Sequence, residues 1–219
     1  MKRIALTICS ATILLYACNS ETKSETTSAD STATTASTEE PKEKAWVAVD
    51  SATEMKAWME YATPGEVHKE LAKSAGTWNG ESTMWMSEGA EPMKSTTTST
   101  AKMIMDGRYQ LTNFKGNMMG MPFEGMGVMG YDNYKKKIVS TWFDNMGTGF
   151  MQMEGPYDPA SKKMTLTGKF TNPANGIDCE MKEVYTIIDD NNHLMEMWGP
   201  DSKTGKQYKT MEIKFTRKK

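Results

Sequence analysis

The chain has 219 residues, of which 25% are charged and 38% hydrophobic, with a formal net charge of −2. So slightly acidic a balance excludes the basic footprint of a nucleic-acid binder. Beyond the first seventeen residues, no apolar run reaches the roughly 20 residues that a membrane-spanning helix needs.

Lys2 and Arg3 give the N-terminus a positive start, Ile4 to Tyr16 is mostly apolar, and small Ala17 precedes Cys18. That is the layout of a secretory signal peptide over residues 1–17. Its loss takes the formal charge from −2 to about −4. The ending Leu15-Tyr16-Ala17-Cys18 resembles a bacterial lipobox, with Tyr16 departing from the usual small or aliphatic residue. The resemblance implies that Cys18 carries acyl chains such as palmitate and tethers the protein to a membrane of the cell envelope. Asn19 is not the aspartate tied to inner-membrane retention, which favours the outer membrane by analogy. Residues 18–44 are almost all Ser, Thr, Glu, Lys and Ala beyond the cysteine. Too little apolar surface is available there to offset ordering entropy, so a disordered tether with a reach of roughly 25–30 Å is expected.

A helical segment is expected over residues 45–75. Ser51 and Glu54 have capping-box spacing, and Met55, Trp58, Met59 and Ala62 follow at helical intervals. Thr63-Pro64-Gly65-Glu66 reads as a second helix start, with Pro64 in the first helical position and Val67 and Leu71 as its stripe. The spacing predicts helices near 51–62 and 64–74.

From Gly76 the texture is β. Apolar and polar residues alternate, and turn pairs such as Asp106-Gly107, Asp158-Pro159, Asn175-Gly176 and Thr204-Gly205 punctuate them. The spacing predicts about ten strands over residues 76–219 with no helical crossover, hence antiparallel neighbours in a sandwich or a barrel. Gly76-Thr77-Trp78 resembles the Gly-x-Trp signature of lipocalins and related calycin barrels. The resemblance implies that Trp78 closes one end, with a basic residue of the last strand across it. Counting by twos puts Arg217 on the apolar face of Met211, Ile213 and Phe215, where stacking on Trp78 would satisfy it. The expected class is all-β: an antiparallel calycin-like barrel preceded by two short α-helices.

Residues from about Pro64 to Arg217 also resemble a bacterial family of secreted proteins known only as a domain of unknown function. The match is carried by His68-Lys69-Glu70-Leu71 with Gly76-Thr77-Trp78, by Pro122-Phe123-Glu124-Gly125, and by Gly130-Tyr131-Asp132-Asn133. The run from Ser140 to Gly149 and Glu154-Gly155-Pro156-Tyr157-Asp158 complete it. Membership implies no particular activity.

Methionine is the compositional anomaly, at 21 residues. Met84/Met86, Met103/Met105, Met119/Met121, Met151/Met153 and Met195/Met197 are pairs two apart, which in a strand share a face. Three readings compete. The methionines fill a packed core; or they wall a cavity for a small apolar ligand; or soft thioethers, densest at Met118, Met119, Met121, Met126 and Met129, bind Cu(I). The cavity reading is preferred, with Met84, Met86, Met103, Met105, Trp142, Met151, Met153, Met195 and Met197 as ligand-binding residues.

Other motifs carry less. Gly125 to Gly130 spells a dinucleotide fingerprint, but the turn Tyr131-Asp132-Asn133 stands where a helix should begin, and a Gly-rich strand explains it better. His68 and His193 have no metal-ligand spacing and read as solvated, although His193 is the one strand-region residue that a haem would find as axial ligand. Cys179 reads as a half-buried strand residue rather than a nucleophile. Asp144-Asn145 reads as hairpin chemistry before it reads as a carboxylate site. No catalytic residue, cofactor or metal is assigned. The expected function is non-covalent binding of a small apolar molecule in the envelope; a packed structural barrel and an envelope enzyme with a polar site near Asp144 are the alternatives.

Overall fold

In the computed structural model, residues 45–219 are described, and Ala48–Lys219 form one compact unit. The leader, Cys18 and the tether lie outside the described residues. Among the described residues, no helix is long and apolar enough to cross a membrane.

Helix α1 spans Ser51–Ala62 and α2 spans Glu66–Lys73. The cap of α1 differs from the expected box. Asp50, not Ser51, is the N-cap, and its carboxylate accepts from the amides of Ala52 and Thr53 at 3.0 Å. Pro64 also falls outside its helix, because Gly65 is the N-cap of α2 and its N–H donates to His68 Nδ1 at 3.0 Å. A short side chain reaching back from the third helical position has replaced proline as the start signal. Every residue of α1 is exposed, whereas α2 buries His68 and Leu71.

Eleven strands follow: β1 Gly76–Met84, β2 Met93–Ile104, β3 Tyr109–Met118, β4 Met121–Asp132, β5 Lys137–Asp144, β6 Met151–Gly155, β7 Tyr157–Asp158, β8 Lys163–Thr171, β9 Asp178–Asp189, β10 Asn192–Pro200 and β11 Gln207–Arg217. Chain neighbours pair antiparallel except β6 and β7, which both pair with β8, and β1 also pairs with β11. The short β7 continues β6 past Pro156, so ten strands close a barrel with no free edge. The expected all-β antiparallel barrel behind two short helices is the fold observed.

The turns show why the strand count was readable. Asp106 and Gly107 both take positive φ, 53° and 83°, as their types allow. The β3–β4 turn is different. Met119 and Gly120 adopt φ of 52° and 82°, the primed two-residue hairpin geometry, without the Asn-Gly or Asp-Gly that would advertise it.

Inner and outer faces follow from register. Trp78 lies opposite Ser99 and Arg217, and Gly80 opposite Thr97 and Phe215. Two buried clusters sit at the end nearest α2, and Phe123 is buried farther up, stacked on Trp142. Leu71 of α2 enters the first against Ile138, Met153, Met164 and Leu166, all buried, while Trp78, Ile213 and Phe215 form the second. Gln110 Nε2 donates to Leu71 O at 2.6 Å and ties the helix to the barrel floor. Helix α2 is therefore the plug of the closed end.

Candidate functional site

Arg217 organises that closed end. Its guanidinium carbon stands 4.2 Å from the Trp78 ring centroid. Its nitrogens donate at 2.7 Å to the carbonyls of Lys73, Ala75 and Asp190. One side chain thus holds the end of α2, the link into β1 and the β9–β10 turn. Gly76 makes room for it: φ is 134°, and a Cβ there would come within 2.7 Å of Arg217 Nη1. The His193 ring lies 4.2 Å from that of Trp78, and His193 Nδ1 shares a 2.8 Å hydrogen bond with the Tyr185 hydroxyl.

Both histidines are buried, His68 at 5% and His193 at 2% exposure, which corrects their reading as solvated. Parity with Met195 and Met197 carries His193 inward, beside aromatic rings. Burial, and then the positive charge of Arg217, hold its imidazole down to about 4, so it is neutral at ordinary pH. Packed between Trp78 and Tyr185, it serves the floor of the barrel.

Above that floor the inner face is not close-packed. Inward residues of the closed barrel such as Trp142, Glu183 and Met197 remain only half-buried. Inner-face atoms that keep exposed surface in a closed barrel face the space above Trp78. Strands β1 to β5 contribute Ser82, Ser95, Thr97, Ser99, Thr112 and Ser140 to the inner face, by the register of their ladders, together with Met84, Phe114, Phe123 and Trp142. Strands β6 to β11 contribute Met151, Met181, Met195, Met197 and Met211. Thr97 Oγ1 is buried without a hydrogen-bond partner among the described residues.

The predicted methionines divide. Met84 ends β1 opposite Met93 and Met211 on the inner face. Met103, Met151 and Met153 belong to the packed floor, and Met195 packs on the cluster of Trp78. Met197 faces the lumen between Glu183 and Met211. Met86 and Met105 do not belong to this wall, which corrects their assignment. Met86 lies beyond the end of β1 and is 57% exposed; Met105 is 67% exposed in the β2–β3 turn, at φ 50°. The five methionines weighed for copper do not converge: Met126 is on the outer face opposite Phe143, Met129 packs on the floor, and Met119 is in the exposed turn.

Trp142 lies across the glycine-rich strand. A Cβ at Gly125 would overlap its ring, and one at Gly127 would come within 3.2 Å. The glycines that imitate a nucleotide fingerprint are a platform for an indole. Trp142 Nε1 donates to Asp144 Oδ2 at 2.7 Å, and Asp144 Oδ1 accepts from the Met146 amide at 2.9 Å. Both oxygens of Asp144 are thereby engaged in holding the indole and the loop after β5. Outside the barrel, a groove of about 510 Å³ runs over Val128, Val139, Thr141, Gln152 and Glu154, on the opposite side of the wall from the lumen.

Glu183, which the sequence places in a strand with no second carboxylate spaced to pair with it, is an inner residue. It lies between Leu166 of β8 and Met197 of β10, with Met181 and Tyr185 two residues away on the same face. Burial alone pushes its carboxyl up to about 7, with no hydrogen bond or counter-charge opposing it. The same burial, followed by the charge of Glu183, pushes the Tyr185 hydroxyl upward.

Glu183 and His193 act on stability from opposite sides of the pH scale. The folded-state value of Glu183 lies above its ordinary 4.5, so its share of stability is intact below 4.5 and is lost as pH rises to about 7. His193 lies below its ordinary 6.5, so its share is intact above 6.5 and is lost as pH falls to about 4. Glu183→Gln is therefore expected to raise the unfolding free energy by about 2 kcal/mol at pH 8, after allowance for lumen water, and to change it little at pH 4.5. Urea denaturation of both proteins at the two pH values measures this.

An antiparallel barrel closed on itself, with α2 packed at one end, places the molecule among the small closed β-barrels. The chain belongs to the family described as a protein of unknown function (DUF1579), whose model matches residues 63–217. It is similar in fold to the crystal structure of Rv2717c from M. tuberculosis, with a TM-score of 0.53 over 72% of this chain and 100% of that one. The identity is 10%, so the likeness concerns the fold alone. No curated protein matches the chain.

Proposed function

We propose that the protein is an envelope binding protein that holds a small, largely apolar molecule non-covalently in the barrel lumen. The observation that carries this reading is the half-buried Trp142, Glu183 and Met197 on the inner face above the clusters of Leu71 and Trp78. A structural barrel has no use for the missing packing, since unfilled interior surface forfeits dispersion contacts. Methionine suits the role, because flexible thioethers adapt to a guest without a rigid pocket. The membrane tether at Cys18 belongs to the same proposal: it would keep the barrel beside the lipid phase from which an apolar guest partitions.

A neutral fluorophore, N-phenyl-1-naphthylamine, tests the reading by titration of the full chain. The expected result is saturable uptake of one equivalent with quenching of Trp142 emission, abolished in Met197→Trp, which fills the lumen. Uptake that does not saturate, or that Met197→Trp leaves intact, would contradict it.

A further inference from the structure

We propose that the lumen is selective for basic amphiphiles: molecules with an apolar body and a protonated amine that pairs with the Glu183 carboxylate. This rests on the lumen-binding reading and adds the chemical class of its guest. Glu183 is the acidic side chain that β8, β9 and β10 place on the lumen wall above the packed floor, and among the described residues nothing pairs with it. The side chains beside it on the wall give this carboxylate no donor: Leu166, Met181 and Met197 are apolar, and the Tyr185 hydroxyl is already committed to His193. An ammonium group supplies both the missing charge and the missing donors. The neighbouring thioethers and the Tyr185 ring are electron-rich and suit a cation, while they offer nothing to an anionic head.

The charged and titratable groups around Glu183 allow this selectivity to be read against pH. Tyr185 and Cys179 share its strand and face, His193 lies on β10, Arg217 on β11 at the floor, and Asp144 on β5 toward the open end. Arg217 is engaged with three carbonyls and Trp78, Asp144 with Trp142 and Met146, and His193 is neutral. Glu183, pushed up to about 7 by burial, changes its ionisation between pH 6 and pH 8.

The test is calorimetric titration of the full chain and of Glu183→Gln with decylamine, decanol and decanoate, each below its micelle concentration, at pH 6 and pH 8. In the wild type, decylamine is expected to bind about tenfold tighter than decanol at pH 8. The gap narrows at pH 6 and closes in Glu183→Gln. Equal affinities for decylamine and decanol in both proteins would overturn the amine inference and leave lumen binding standing, as would tightest binding of decanoate. Absence of binding by all three to either protein would overturn lumen binding itself, and the inference with it.

Discussion

Gly155→Ala is expected to destabilise the barrel by about 4 kcal/mol, or to prevent its closure altogether. The barrel closes where β6 meets β8, and that seam has only two ladder positions, Met153 opposite Gly168 and Glu154 opposite Thr167. A Cβ on Gly155 would overlap Thr165 O and come within 3.0 Å of Leu166 Cα. These are backbone atoms, so no side chain can swing aside to relieve the clash. Gly168 is in the same position from the other strand, its Cβ site overlapping Gln152 O. Opening the seam would leave two strand edges bare and uncover Leu166 and Ile138, which are 0% exposed. Denaturant unfolding checks the magnitude. A loss below about 1 kcal/mol would mean that the two strands separate freely there.

Arg217→Ala is expected to lower stability by about 3 kcal/mol. The loss combines three charged hydrogen bonds to carbonyls, two of them near solvent and discounted for it, with the stacking on Trp78. Arg217→Lys should recover less than half, because a single ammonium cannot reach three carbonyls on three segments in the fixed directions of a guanidinium. Hydrogen exchange offers a second readout: amides at the end of α2 and in the β9–β10 turn should lose protection together. Loss confined to β11 would show that Arg217 does not tie the three segments.

Parity and turn chemistry made most of the barrel legible in the sequence. Two-residue counting placed Trp78 and Arg217 on one face, and they are cross-strand partners. It misplaced Met86 and Met105 for a simple physical reason: the count assumes the strand continues, and β1 stops at Met84 while β2 stops at Ile104. His193 looked solvated beside its Asn-rich turn, although its parity with Met195 already pointed inward. Glu183 had the same readable parity, between Met181 and Tyr185. What no alternation pattern can supply is the absence of a partner, which depends on strands β8 and β10 meeting it with leucine and methionine. The glycine-rich stretch of β4 was ambiguous because its meaning lies in Trp142, seventeen residues beyond Gly125 and opposite Gly127 in the ladder.

The direct measurement of a ligand-holding lumen is native mass spectrometry of the full chain, purified from its own host without denaturation. A reproducible added mass of one small molecule per barrel, released on unfolding and absent from Met197→Trp, is the predicted result. A bare wild-type chain that also takes up none of an offered panel of lipids and amines would contradict it, and would mark the barrel as a structural module.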